Sequence, residues 1–401
     1  MHAFAPIQRI ALFAALALTA GAANAAAQGT VSGRVTDSGG VPLPGVAVQI
    51  YDTRGQSLGA VFTDPSGNYA ASAIPPGTVF AETFNQLGYV DQLYAGLTCV
   101  GFCEPTLGTP ITVPSGGATT GIDFALARGG RISGRVTEPG GAGLAGVDIS
   151  VVNAGGDFTF AFTTTDAAGD YVALSGLPPG QYFVKTRNRI GYVDELYSDV
   201  ACVTSSCPTV SATPVTVVVG SSTTVNFVLD PGGRIAGVVR DEAGTTLLPD
   251  VDVEILNAAG VRVDLATTDT AGAYLSGRGL PGGTYFARTR RTGAYISELY
   301  DNSVCAGQCQ VNRGTPIAVT LGATTGGIDF GLRVGGRIAG HVTDSVTHAS
   351  LVNTSLSIYG GNGSFVTFAN TDLSGDYLTA EGLPSGTYFV TADNAGYVGQ
   401  V

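Results

Sequence analysis

The sequence predicts an all-β protein, a tandem array of β-sandwich domains behind a signal peptide. Three observations carry this expectation. The same order of glycines, tyrosines and alternating apolar residues returns at a period of roughly 100 residues. Within each period the apolar residues are spaced by two, the strand periodicity. The composition, with 59 Gly, no Trp and 12% charged residues, suits tight turns and short strands better than amphipathic helices.

Residues 1–25 read as the signal peptide. Arg9 supplies the positive start, Ile10 to Ala20 is an apolar stretch too short to span a bilayer, and Ala23-Asn-Ala25 is an A-x-A cleavage pattern. No cysteine follows closely enough for a lipid anchor, and no later stretch is long and apolar enough for a membrane helix. A secreted or cell-surface chain is expected, with the periplasm as the other compartment open to it.

Four domains follow, at 26–128, 129–231, 232–334 and 335–401, and the length allows each its own core. Val31-Ser-Gly-Arg-Val35, Ile132-Ser-Gly-Arg-Val136, Ile235-Ala-Gly-Val-Val239 and Ile338-Ala-Gly-His-Val342 are the opening strands. In the second strand Val46, Val48 and Ile50 alternate with smaller or polar residues. Val147, Ile149 and Val151 do the same around Asp148, as do Val251, Val253 and Ile255 around Asp252 and Glu254, so one face should pack inward and the other meet water. Thr63-Asp-Pro-Ser-Gly-Asn-Tyr69 and its counterparts ending at Tyr171, Tyr274 and Tyr377 place Asp at the start of a hairpin loop and Gly where a positive φ is needed. Stiff turns, Pro75-Pro-Gly77 and the three Leu-Pro turns at Leu177, Leu280 and Leu383, lead into the next β-rich strand. The closing strand is Ile122-Asp-Phe-Ala-Leu126, Val225-Asn-Phe-Val-Leu229 or Ile328-Asp-Phe-Gly-Leu332, which makes Phe124, Phe227 and Phe330 central core residues. Gly-Gly joints at 129–130, 232–233 and 335–336 leave almost no linker, and a monomeric rod is expected. The fourth unit stops after Gly396-Tyr-Val398, short of the loop and closing strand found elsewhere. It is expected to be incomplete, either as part of a longer protein or as a domain with an exposed edge.

The six cysteines form three close pairs at one place in the first three repeats: Cys99 with Cys103, Cys202 with Cys207, and Cys305 with Cys309. In an oxidising compartment this spacing reads as one disulfide-closed loop per repeat. Zinc would need further Cys or His ligands nearby, and free thiols are the remaining reading.

Composition narrows the function classes. With a net charge of −12 and no basic run, the chain has no footprint for nucleic acid. Beyond the signal segment only His341 and His348 remain, so no Ser-His-Asp set can be built in the first three repeats, and His341 is placed on an outward strand position. Asp64 with Asn68, Asp166 with Asp170, and Asp372 with Asp376 suggest calcium, but offer too few oxygens; they read as turn formers. No catalytic residue, cofactor or metal site is expected. Each Cys loop is preceded by a Tyr-x-(Asp/Ser)-x-Leu-Tyr run: Tyr89, Asp91 and Tyr94; Tyr192, Asp194, Glu195 and Tyr197; Tyr295, Glu298 and Tyr300. This is the candidate ligand-binding face, since tyrosine is rigid and amphipathic. In the competing reading Tyr89, Tyr192 and Tyr295 pack beneath the loop as core lids.

The order of V-x-G-x-V strand, turn, T-D-x-x-G-x-Y loop and L-P-P-G-x-Y strand resembles carboxypeptidase regulatory-like domains. These are kin of collagen-adhesin B-type domains, with prealbumin-like sandwiches grouped with starch-binding-like folds. The resemblance implies an accessory, non-catalytic module. Some relatives form Lys-Asn isopeptide bonds, but Lys185 is the only lysine here, so that bond cannot recur along the array. The expected function is extracellular binding or adhesion, with a glycan or surface protein as partner; the carbohydrate idea rests on the resemblance alone. The alternatives are an accessory region of a larger secreted peptidase or a structural stalk.

Overall fold

The computed structural model of the chain describes residues 27–398 apart from Val100, Phe102, 154–158, Val203, 205–206, 291–292, Ala306 and Gln308. The signal-peptide assignment therefore lies outside the described residues. Apart from three single 3-10 turns, at Pro105–Leu107, Thr209–Ser211 and Val311–Arg313, the regular structure of the described residues is β-strand.

The chain divides into two compact units. In the first, the opening strand Gly29–Asp37 pairs antiparallel with Asn68–Ile74 and parallel with Ala118–Thr119. Facing it, Ala47–Tyr51 lies between Ser57–Phe62 and Gly77–Phe84. The second unit contains the same arrangement twice in full. Arg131–Thr137 pairs with Asp170–Val172 and, in parallel, with Ser222–Thr224 and Phe227–Val228. The opposing sheet runs Thr159–Thr164, Asp148–Val152, Gly180–Arg187, Glu195–Leu196, Val200–Ala201, with Val215–Val217 also on Gly180–Arg187. Arg234–Asp241 and Asp252–Asn257 are central to the corresponding sheets of the third repeat. The fourth repeat, among the described residues, has a two-stranded sheet, Ala339–His341 with Asp376–Leu378, and a three-stranded one centred on Ser355–Gly360.

Alternation builds the core. Val31, Val35, Val48 and Ile50 are fully buried, as are their counterparts Ile132, Val136, Ile149 and Val151 and then Ile235, Val239, Val253 and Ile255. Phe124, Phe227 and Phe330 are buried among them. The glycine of the opening strand and the tyrosine of the hairpin loop serve one atom. A Cβ at Gly33, Gly134 or Gly237 would lie 2.0, 1.8 or 2.0 Å from the carbonyl oxygen of Ile122, Val225 or Ile328. Tyr69, Tyr171 and Tyr274 donate their hydroxyls to those same oxygens at 2.6, 2.6 and 2.7 Å. Glycine lets the closing strand approach, and the tyrosine satisfies the carbonyl brought there. In the fourth repeat the ring of Tyr377 itself occupies the space beside Gly340.

The loop aspartates act through their backbone partners. Asp64 Oδ1 accepts from the N–H groups of Ser66 and Asn68, and Asp166, Asp269 and Asp372 repeat the pattern. Gly67, Gly169, Gly272 and Gly375 have φ of 78°, 83°, 67° and 82°, the left-handed values the turn requires.

The outer face of the larger sheet does not simply meet water. Val152, Leu256 and Phe286 on that face are buried, and Asp252 is only 9% exposed. In the third repeat the segment around Cys309 to Asn312 comes down beside Leu256 and covers part of this face.

Candidate functional site

In the first two repeats the Tyr-x-Asp segment leaves the larger sheet through a loop fastened by asparagine. Asn188 Nδ2 donates to Tyr192 O at 3.0 Å and to Asp194 Oδ1 at 2.6 Å, while its Oδ1 accepts from the N–H groups of Ile190 and Tyr192. Asn85 does the same for Tyr89 and Asp91. All the candidate tyrosines are half-buried. Tyr94, Tyr197 and Tyr300 pack edge-on against Phe124, Phe227 and Phe330, with ring centroids 6.0, 6.2 and 6.1 Å apart. Tyr192 and Tyr295 pack on the cores of the second and third repeats, and Tyr192 donates to Glu138 Oε2 at 2.8 Å. Tyr89 lies under the Arg128 guanidinium, 5.7 Å from the ring centroid.

The acids sit deeper. Asp91 is half-buried, whereas Asp194, Glu195 and Glu298 are 2%, 7% and 1% exposed. Glu195 Oε2 and both Glu298 carboxylate oxygens accept no hydrogen bond among the described residues. Burial, reinforced by Asp199, Asp230 and Asp194, pushes the Glu195 carboxyl up to about 7. Burial also raises Glu298, against the pull of the Arg333 guanidinium 3.7 Å away.

Within the second unit these segments form the joints between repeats. Val193 bridges in parallel to Gly279, and Ile296 to Gly382. A Cβ at Gly279 would lie 2.4 Å from the Tyr192 carbonyl carbon, and one at Gly382 would lie 2.3 Å from Ala294 O, so the contact is backbone on backbone. Charge closes each joint. Arg278 of the third repeat donates to Asp194 of the second at 2.5 Å, and both side chains are nearly inaccessible. Burial raises the Asp194 carboxyl, while Arg278 and Asn188 oppose that rise. In the next joint Glu381 accepts from Ser297 Oγ at 3.2 Å and lies 3.5 Å from Arg290 Nε. Sequence reading singled out Asp194 but neither Arg278 nor Glu381.

All three predicted cysteine pairs are disulfides, with Cα separations of 5.8, 4.9 and 5.4 Å. Cys202 and Cys207 pack with Leu196, placing the loop against the sheet edge.

The fourth repeat holds one arrangement with the order of a proton relay. His341 Nδ1 is 2.7 Å from Asp376 Oδ1, and its Nε2 is 3.3 Å from Ser350 Oγ. All three side chains are exposed, and the nearby N–H groups of Leu351, Ser374, Gly375 and Asp376 are already donated to Val342 O and Asp372. With no preorganised donors left among these to stabilise an oxyanion, the set forms a surface hydrogen-bond chain. Sequence reading compared position 341 only with Arg34, Arg135 and Val238, so this grouping did not emerge from it.

The family model of the carboxypeptidase regulatory-like domain matches residues 30–127 and 131–230. Residues 30–230 carry two carboxypeptidase regulatory-like domains in tandem. Solved structures similar to this regulatory-like chain include the TIE protein of Bacillus anthracis, at 17% identity, covering 89% of this chain and 64% of that one, TM-score 0.21. A streptococcal ancillary pilin shows 13% identity over 77% of this chain and 99% of its own, TM-score 0.27. BcpA, the major pilin subunit of Bacillus cereus, shows 11% identity over 77% and 99%, TM-score 0.18. The chain thus spans 64% of the length of the TIE protein. No curated protein matches it. Among the described residues, no helix is long and apolar enough to cross a membrane.

Proposed function

We propose that this chain is a non-catalytic extracellular binding or adhesion protein whose regulatory-like domains hold disulfide-closed loops in place for a glycan or a surface protein. The observation that carries this reading is the pair of joints in the second unit. The sequence's most conspicuous tyrosine and acid segments are spent on fixing one repeat to the next, and the loops that follow them are closed covalently. Such construction favours display of several copies of a contact surface, where repetition raises avidity without strong single contacts.

The contact surface is then placed at the loop tips. Leu107 and Val210, in the turns after the first two disulfides, are 70% and 90% exposed, and Asn312 occupies the third such turn. An array of extracellular glycans and surface proteins probed with the chain, and with a variant carrying Leu107→Ser, Val210→Ser and Asn312→Ala, tests the reading. These exposed changes cost folding little. Binding by the chain that falls at least tenfold in the folded variant is expected. Absence of binding by either protein would leave the array as a spacer.

A further inference from the structure

In the third repeat the hairpin turn at Asn257–Val261 and the turn following Cys309 border a groove of about 610 Å³. Its lining includes Leu256, Ala258, Arg288, Gln310 and Asn312. Arg288 lies on the strand Gly283–Arg290, directly across from Glu254 in the neighbouring strand. Its Nε donates to Glu254 Oε2 at 2.5 Å, and Arg262 Nη1 lies 3.4 Å from the other oxygen, Oε1. Two guanidiniums therefore share one carboxylate, leaving a local excess of positive charge on a chain whose net charge is −12. Among the described residues the Nη groups of Arg288 have no acceptor, although the side chain is only 17% exposed. A planar fork of donors in a sheltered groove is matched by a carboxylate, which accepts two parallel hydrogen bonds. The exposed amides of Gln310 and Asn312 and the exposed methyl group of Ala258 are available to the body of a small ligand.

We infer that this groove is a carboxylate-binding site with Arg288 as its anchor, taking the acidic group of a sugar acid or of an acidic peptide side chain. The corresponding positions carry different charges: Lys185 opposite Ser150 in the second repeat, and Glu82, which accepts from Tyr51 at 2.9 Å, in the first. The repeats consequently differ in ligand preference, and the first disfavours anions. This inference rests on the binding-array reading and assigns a ligand class to one loop.

The test is isothermal titration of the purified chain with D-galacturonate, with N-acetylglutamic acid α-amide and with neutral galactose. One or both carboxylates should bind and galactose should not. Binding of galacturonate alone assigns a sugar acid, binding of the glutamate derivative alone assigns an acidic peptide, and binding of both supports the shared chemistry. Arg288→Leu, which leaves Glu254 its Arg262 partner, should abolish the signal. Arg288→Lys keeps the charge, loses the fork, and should weaken binding at least fivefold. Binding of neither carboxylate, or unchanged binding in the two folded variants, overturns the inference. Retained binding on the glycan and protein array in that case would leave the broader function standing.

Discussion

Gly134 and Tyr171 converge on the carbonyl of Val225, and that convergence makes the repeat sensitive at single positions. Gly134→Ala forces a methyl group into the closing strand and should cost about 3 kcal/mol, read as a shift in the urea midpoint. Tyr171→Phe leaves the carbonyl unsatisfied and should cost about 1 to 2 kcal/mol. Tyr197 and Tyr300 are fixed by packing on Phe227 and Phe330, so alanine there should cost about 2 to 3 kcal/mol whereas phenylalanine should be tolerated. Glu195 sets a pH dependence. Its carboxyl is raised from the ordinary value of 4.5 to about 7, so the folded state favours the protonated form. The stability this contributes is complete below the unfolded value and is lost as pH rises through 7. Glu82, also pushed up to about 7 by burial, acts in the same window. The chain should be more stable at pH 5 than at pH 8, and Glu195→Gln should flatten that slope by roughly 1 to 3 kcal/mol. A steeper slope in the variant would contradict the assignment.

At the scale of elements, strands and turns were legible because their signals are local. Alternating valines, an Asp three residues before a Gly, and Leu-Pro turns each act within a few residues, and four copies repeat the message. The joints were not legible for the opposite reason. Arg278 and Asp194 are 84 residues apart, as are Glu381 and Ser297, and the residue types change from one joint to the next. One trace was present: Gly279 and Gly382 fall within the six-residue steps Tyr274 to Leu280 and Tyr377 to Leu383, whereas the step from Tyr69 to Ile74 is one residue shorter and lacks the glycine. The candidate face was likewise only partly legible. Its tyrosines and acids were identified, but the Phe227 and Phe330 rings against Tyr197 and Tyr300, and Arg278 across the joint from Asp194, decide how much remains accessible. Arg278→Ala strands the Asp194 carboxylate in a buried site and should cost about 3 to 5 kcal/mol. Because the joint couples two repeats, the loss should appear as a split denaturation transition of the second and third repeats.

For the whole molecule, the disulfides make a direct prediction: alkylation of the unreduced protein should label no cysteine, and reduction should expose six. Each loop is short, so opening it should cost about 2 kcal/mol or less, with the loop shape changing more than the fold. A fluorophosphonate probe should leave Ser350 unmodified, and labelling there would reopen the question of chemistry in the fourth repeat. The joints carry a further consequence. One draws its acid from the earlier repeat, Asp194 against Arg278, and the next draws it from the later one, Glu381 against Arg290. A tandem duplication of the third repeat would bring Arg278 of the new copy to Ser297 and Arg290 of the old, two cations without the Asp194 or Glu381 that closes each existing joint. The reading order of the array is therefore written in its charges, and a gene that lengthens by copying this unit must change the seam before the longer protein can fold as one piece.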